Sequence, residues 1–319
     1  MPEEVVLLTN PIHPDGEAIL KDHARLIVAP DTAPDTLRRM AREATGIIVR
    51  AKLPDDIVEH APKLKGLVRH GVGLDFIPVA KASAKGIAVA NLPGSNTNAV
   101  AEYVFAALLN LRRPHAGFDT ALRSEGWGKA RGMANDTLEI GPQTLGIVGV
   151  GAIGSRVAQI AGKGFGMRVI GASRRSGNMP DGVEEVALDQ LFAEADAVVL
   201  SCALTEETRG LADARRLALM KSEAVLINVS RGAVVETAAL LDALEQGRLA
   251  GAALDVFDSQ PLQNGDPLLL CQNLLLSPHV AAITSTSMRA MSVGAAEEMH
   301  RILTGQSPVN FVNSEIRDA

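Results

Sequence analysis

A chain of 319 residues, 47% of them apolar, is too long for one small core, so two domains are expected. Aromatic residues make up only 3% and the formal net charge is −6, which argues against nucleic acid or an anionic membrane as partner. No apolar run reaches membrane-spanning length, Pro2-Glu3-Glu4 does not open a signal peptide, and Cys202 and Cys271 lack metal-ligand or redox spacing; a cytoplasmic protein without metal is expected.

Short β-branched apolar runs alternate with helical stretches, the pattern of an α/β protein made of two doubly wound, Rossmann-like domains with parallel sheets. In chain order, strands are predicted over 4–9, 25–29, 46–50, 67–70 and 87–90, with helices over 15–22, 34–43 and 54–60 between them. A long apolar helix over 98–111 leads out of this unit, and 112–138, rich in Gly and charge, reads as an irregular passage. The second unit starts at Thr144 and continues with strands over 168–172, 197–201, 224–229, 251–253 and 274–276. A helix over 285–304 and a tail over 309–313 lead back to the first unit. The domains expected are therefore a discontinuous substrate domain, 1–97 with 290–319, and a dinucleotide-binding domain, 98–289.

Within the second unit, LGIVGVGAIG runs from an apolar strand into Gly149, Gly151 and Gly154 at G-x-G-x-x-G spacing, with Ala152 and Ile153 opening a helix. This is a pyrophosphate-holding device: one glycine for a tight turn, one for backbone approach to phosphate, one for helix packing. The strand over 168–172 ends in Ser173-Arg174-Arg175-Ser176, with no carboxylate before Asp181. A hydroxyl and two guanidinium groups suit a ribose 2′-phosphate, so NADP(H) is expected ahead of NAD(H). Thr208 and the segment Ser201-Cys202-Ala203 are placed beside the cofactor, Cys202 offering backbone rather than a reactive thiol.

Three later segments carry chemistry: INVSRG ends a strand in Arg231, ALDVFDSQPL contains Asp255 and Gln260, and LSPHV ends a strand in His279. Groups at the carboxyl ends of strands converge on the ligand crevice of an open α/β sheet. An Arg there binds a carboxylate and polarises a carbonyl, and a His moves the proton while a nicotinamide moves the hydride.

These segments, together with KGLVRHGVGLD, NLPGSNTNAVAE, GVGAIG, NVSRGAVV and SPHVAA, resemble the D-isomer-specific 2-hydroxyacid dehydrogenase family over nearly the whole length. The resemblance implies a two-domain, usually homodimeric enzyme acting on a small anionic 2-hydroxy or 2-keto acid. It implies that backbone at Gly71, Val72 and Gly73 holds the substrate carboxylate opposite Arg231, that Asn96 lies near the substrate, and that His279 is the acid–base. It also places Asp255, Val229, Ser230 and Ala281, with Arg231 and His279, on the cofactor side. Arg50, Arg69 and His70, at strand ends, are candidates for a second anionic group of the substrate.

One departure stands out. The family's usual Glu before Pro261 is Gln260 here, a position where the chain is similar to formate dehydrogenases, although their N-terminal extension is lacking. A neutral amide orients an imidazole but gives up most of a carboxylate's stabilisation of the imidazolium; Asp258 is an alternative carboxylate. Three functions follow. The first is NAD(P)-dependent keto-acid reduction with Arg231, His279 and Gln260 as catalytic residues. The others are hydride abstraction from a small anion such as formate or phosphite, and a non-enzymatic nicotinamide-binding redox sensor.

Overall fold

The computed structural model describes residues 4–174, 177 and 179–317. Its elements begin with β1 (Val5–Leu8), α1 (Pro14–Leu20), β2 (Arg25–Val28), α2 (Pro34–Ala41), β3 (Gly46–Val49), β4 (Gly66–Arg69), α3 (Val79–Ala84) and β5 (Ala88–Ala90). Next come α4 (Thr97–Arg112), α5 (His115–Ser124), α6 (Trp127–Gly132), β6 (Thr144–Val148), α7 (Ala152–Ile160), β7 (Arg168–Ala172), β8 (Glu184–Glu185) and α8 (Leu188–Glu194). The rest are β9 (Ala197–Leu200), α9 (Ala214–Leu217), β10 (Val225–Asn228), α10 (Thr237–Glu245), β11 (Gly251–Leu254), β12 (Leu274–Leu276) and α11 (Ser285–Leu303). One unit takes the residues up to Asn96 and from Ile283 onward; the other is Thr97–Ala282.

The first unit has a parallel sheet in the order β2-β1-β3-β4-β5, one of the two common doubly wound orders. Alternate side chains of its strands feed two cores. Leu7 packs with α2 through Leu37 and Ala41, whereas Val6 and Leu8 pack with Leu20 of α1 and with Met291, Ala295 and Met299 of α11. A period of two with both faces apolar is what a parallel strand covered on both sides requires. The tail returns to this unit through Asn313, whose amide oxygen accepts from Val89 N–H and whose amide nitrogen donates to Ile87 O.

The second unit has a seven-stranded parallel sheet in the order β12-β11-β10-β9-β6-β7-β8. Its strand order reverses between β6 and β9, the switch point where ligands bind in such sheets. On one face α4 and α7 cover Leu145, Ile147 and Val199; on the other α8, α9 and α10 cover Val148, Val198 and Leu200.

Two local expectations differ from the structure. The passage over 112–138 is helical in two pieces, α5 and α6, joined at Gly126 with φ 85°. Only Ala121 of these two helices is buried, so the apolar periodicity that would announce them is missing. The helix expected over 54–60 is a 3-10 turn, Ile57–Glu59. Pro62 disfavours helical backbone at Ala61, which leaves room only for i to i−3 bonds such as Glu59 N–H to Asp56 O.

Candidate active site

At the switch point the three fingerprint glycines have separate reasons. Gly149 has φ 90°, and a Cβ there would lie 2.5 Å from Cys202 Cα; at Gly154 it would lie 2.3 Å from Gly149 O. At Gly151, the N-cap of α7, a Cβ would meet nothing within 4 Å among the described residues, none of whose side chains caps the helix. The space and the first-turn N–H groups are thus left to an anion, which the nine-residue helix favours through its dipole.

A cleft of about 670 Å³ opens here. Gly149, Gly151, Ser173, Arg174, Cys202, Ala203 and Thr208 line it, which brings seven of the sequence-derived cofactor candidates together. Arg175 lies outside the described residues. Ala152, Ile153, Gly154, Val229, Ser230, Arg231, Asp255, His279 and Ala281 belong to the same unit but are not among the residues lining this cleft. Thr208 hydroxyl donates to Ala203 O at 2.7 Å and accepts from Thr205 N–H at 2.7 Å, so it shapes the loop that walls the cleft. Thr205 and Glu207 also line the cleft and carry no motif that would have pointed to them. Burial pushes the Cys202 thiol up, away from the thiolate form.

The chemistry-bearing residues leave adjacent strands at matched positions. Asn228 of β10 pairs with Leu254 of β11, which pairs with Leu276 of β12. Arg231 and His279 each lie three residues beyond these register partners, and Asp255 lies one beyond. Strands two apart are separated by roughly 10 Å, a span a long guanidinium and an imidazole can share around one small molecule.

Each loop is fixed by buried polar groups. Asn228, fully buried, accepts from Ser230 N–H and hydroxyl at 3.0 and 2.7 Å, and its amide donates to Arg231 O at 2.9 Å. Half-buried Arg231 donates from Nη1 to Ser230 O. Gly232 must follow it, because a Cβ there would lie 1.9 Å from Phe257 C. Asp255, 2% exposed, accepts from Ser277 hydroxyl, Val280 N–H and Ala281 N–H. His279 between them has φ 57°, the one non-glycine among the described residues in the left-handed region. Such a backbone persists only where its neighbours hold it, and it clusters at functional sites.

His279 Nδ1 lies 3.0 Å from Gln260 Oε1, and Gln260 Nε2 donates to Phe257 O at 3.2 Å. The second bond decides which end of the amide faces the ring. Nδ1 therefore carries a hydrogen.

In the first unit, Arg69 and His70 follow one another at the end of β4. Arg69 donates to Val49 O, Arg50 O and Gly73 O and covers the Phe76 ring at 4.5 Å, so it braces the Gly71–Gly73 turn. His70 is buried, with Nε2 2.9 Å from Ser292 Oγ; burial, then the Arg50 and Arg69 charges, push its pKa down to about 4. Val72 O accepts from Asn91 and Gly73 O from Arg69, while the N–H groups of Val72 and Gly73 make no hydrogen bond among the described residues. Arg50 is half-buried, donates to Pro11 O, and has no carboxylate partner among the described residues; burial lowers its pKa. Asn96 Oδ1 is buried and has no hydrogen-bond partner among the described residues.

Comparison with known proteins accords with this geometry. The family described as D-isomer specific 2-hydroxyacid dehydrogenase, NAD binding domain, matches residues 105–281. A glyoxylate reductase of Aeropyrum pernix is 37% identical, with 98% of this chain and 96% of that protein covered. The chain belongs to the D-isomer specific 2-hydroxyacid dehydrogenase family.

Two solved structures match this chain over nearly its whole length. TT0316 protein of Thermus thermophilus has a TM-score of 0.88 at 32% identity, covering 97% of this chain and 99% of that one. The NADPH-dependent glyoxylate/hydroxypyruvate reductase of Sinorhizobium meliloti, in complex with NADP and malonate, has a TM-score of 0.86 at 29% identity, covering 97% of each chain. Family membership, the doubly wound fold and a nicotinamide-binding domain thus agree with the sequence reading. The glycine cradle at Gly151 and the uncapped start of α7 fit the cofactor's pyrophosphate.

Proposed function

We propose that this 2-hydroxyacid dehydrogenase reduces small 2-keto acids to D-2-hydroxy acids, or runs the reverse reaction, with NADP(H) preferred and NAD(H) possible. The observation that carries this reading is the delivery of Arg231 and His279 from register-matched ends of β10 and β12. A bound nicotinamide supplies or takes the hydride. Arg231 pairs with the substrate carboxylate and draws charge from the carbonyl. His279, held at Nδ1 by Gln260, gives the substrate oxygen a proton from Nε2 in reduction and removes it in oxidation.

Cofactor preference rests on Ser173 and Arg174, which line the cleft at the end of β7 where no carboxylate follows before Asp181. In the first unit, the N–H groups of Val72 and Gly73, unpaired among the described residues, suit a carboxylate, and Arg50, without a carboxylate partner among them, suits a second anionic group on the substrate. Homodimer formation is supported by the α5–α6 arm, where Trp127 is 71% and Leu122 46% exposed.

Gln260 by itself favours hydride abstraction from formate or phosphite, which asks less of a charged His. The 37% identical glyoxylate reductase supports keto-acid reduction instead, and Arg231 and His279 have no task in a redox sensor. The deciding experiment follows reduced-cofactor absorbance with NADPH and NADH against glyoxylate, hydroxypyruvate and dianionic 2-keto acids, with formate and phosphite oxidation in parallel. Keto-acid reduction faster with NADPH is expected. No turnover of any keto acid, with oxidation of formate or phosphite, would overturn the reading.

A further inference from the structure

We infer that Tyr103 and Ser277 are positioning residues for His279, acting through Asp255; the inference rests on His279 being the acid–base. Tyr103 hydroxyl lies 2.6 Å from Ser277 Oγ, and Ser277 hydroxyl donates to Asp255 Oδ1 at 2.5 Å. A carboxylate only accepts, so the single hydroxyl hydrogen of Ser277 goes to Asp255. The hydrogen between Tyr103 and Ser277 then belongs to the phenol. The chain of bonds runs one way, from Tyr103 through Ser277 to Asp255.

Asp255 also accepts from the two residues just after His279. Val280 N–H donates to Oδ1 at 2.8 Å and Ala281 N–H to Oδ2 at 2.9 Å. Meanwhile His279 N–H donates to Ser277 O at 3.0 Å. One carboxylate thus ties the residue two before His279 to the two after it, across a backbone at φ 57°. That left-handed turn aims the imidazole, and an L-residue leaves it once the ties are lost. Asp255 is in turn fixed by its own N–H on Asn228 O at 3.1 Å, the residue that also frames Arg231.

Tyr103 sits on α4 between buried neighbours Ala101, Val104 and Phe105, which ground it in the core of the second unit. Burial, with Asp255 also acting, raises its phenol above the ordinary value, so it remains a donor throughout the working pH range. It is the only tyrosine of the chain. The consequence of this arrangement is the orientation of Nε2, which appears in kcat rather than in KM.

The test uses the full chain with Ser277→Ala, Ser277→Thr and Tyr103→Phe, assayed with NADPH and glyoxylate, plus amide hydrogen exchange at Val280 and Ala281. Misplacement of a reacting group costs up to roughly 100-fold, so Ser277→Ala is expected to lower kcat about 10- to 100-fold with KM changed less than about threefold. Tyr103→Phe keeps the ring and is expected to lose a smaller factor, about three- to tenfold, while Ser277→Thr keeps the hydroxyl and stays near the parent. Both losses are accompanied by faster exchange at Val280 and Ala281. Parental kcat and parental exchange in Ser277→Ala and Tyr103→Phe would overturn the inference. Should the parent reduce no 2-keto acid, the functional reading fails, and the exchange rates alone decide whether Tyr103 and Ser277 hold the His279 backbone.

Discussion

His279 Nδ1 faces the amide oxygen of Gln260 at 3.0 Å, so the ring is oriented by a partner that carries no charge. A carboxylate in that place would favour the imidazolium, the form that gives a proton to a keto acid. Gln260→Glu is therefore expected to carry keto-acid reduction about one pH unit or more further into the alkaline range, with little effect on cofactor KM. The pH profile of kcat/KM for reduction checks this. An unchanged profile would remove Gln260 from the proton step.

The buried imidazole of His70 predicts acid sensitivity of the first unit. Its pKa falls from about 6.5 in the unfolded chain to about 4 when folded, mainly through burial, with Arg50 and Arg69 adding to it. The unfolded state thus binds the proton more readily, so stability is lost as pH drops from about 6.5 towards 4, by about 3 kcal/mol in all. Thermal unfolding from pH 7.5 to 4 is expected to show this decline, and His70→Asn is expected to flatten it. A variant that tracks the parent through that window would refute the assignment.

The fingerprint glycines separate fold from binding. Gly151→Val adds a side chain where a Cβ meets nothing within 4 Å, so Tm is expected to hold while cofactor affinity falls at least about tenfold. Gly154→Val drives a Cβ to within 2.3 Å of Gly149 O and is expected to lower Tm sharply. Cofactor titration beside thermal melts distinguishes the two. Equal loss of Tm in both would mean that Gly151 serves packing.

Ser173 and Arg174 line the cleft just beyond β7, and the proposed NADP(H) preference rests on them. Ser173→Asp with Arg174→Ala is expected to move the ratio of kcat/KM for NADPH over NADH by about 100-fold toward NADH, from lost charge-assisted bonds and new repulsion. A ratio within about twofold of the parent would place phosphate recognition elsewhere.

What the sequence disclosed was whatever depends on local pattern. Gly149, Gly151 and Gly154 announce their turn because spacing and flanking strand suffice, and Ser173, Arg174, Cys202 and Thr208 line the cleft at that turn. The helices α5 and α6 stayed hidden because they bury only Ala121 and so have no apolar stripe to read. The clamp at His279 was equally invisible. Asp255 contacts backbone N–H groups of Val280 and Ala281 and the hydroxyl of Ser277, 22 residues away, and no periodicity encodes such pairings. The sequence marks His70 as a candidate for a second anionic group of the substrate but does not show that it is buried against Ser292, 222 residues on.

The central claim concerns Arg231 and His279, and the kcat for glyoxylate reduction by the parent, His279→Ala and Arg231→Ala tests it most directly. The account predicts parental turnover and a loss on the order of 100- to 10,000-fold in His279→Ala, with Arg231→Ala failing in both kcat and keto-acid KM while NADPH binding is retained. A His279→Ala enzyme that keeps the parental rate would contradict it.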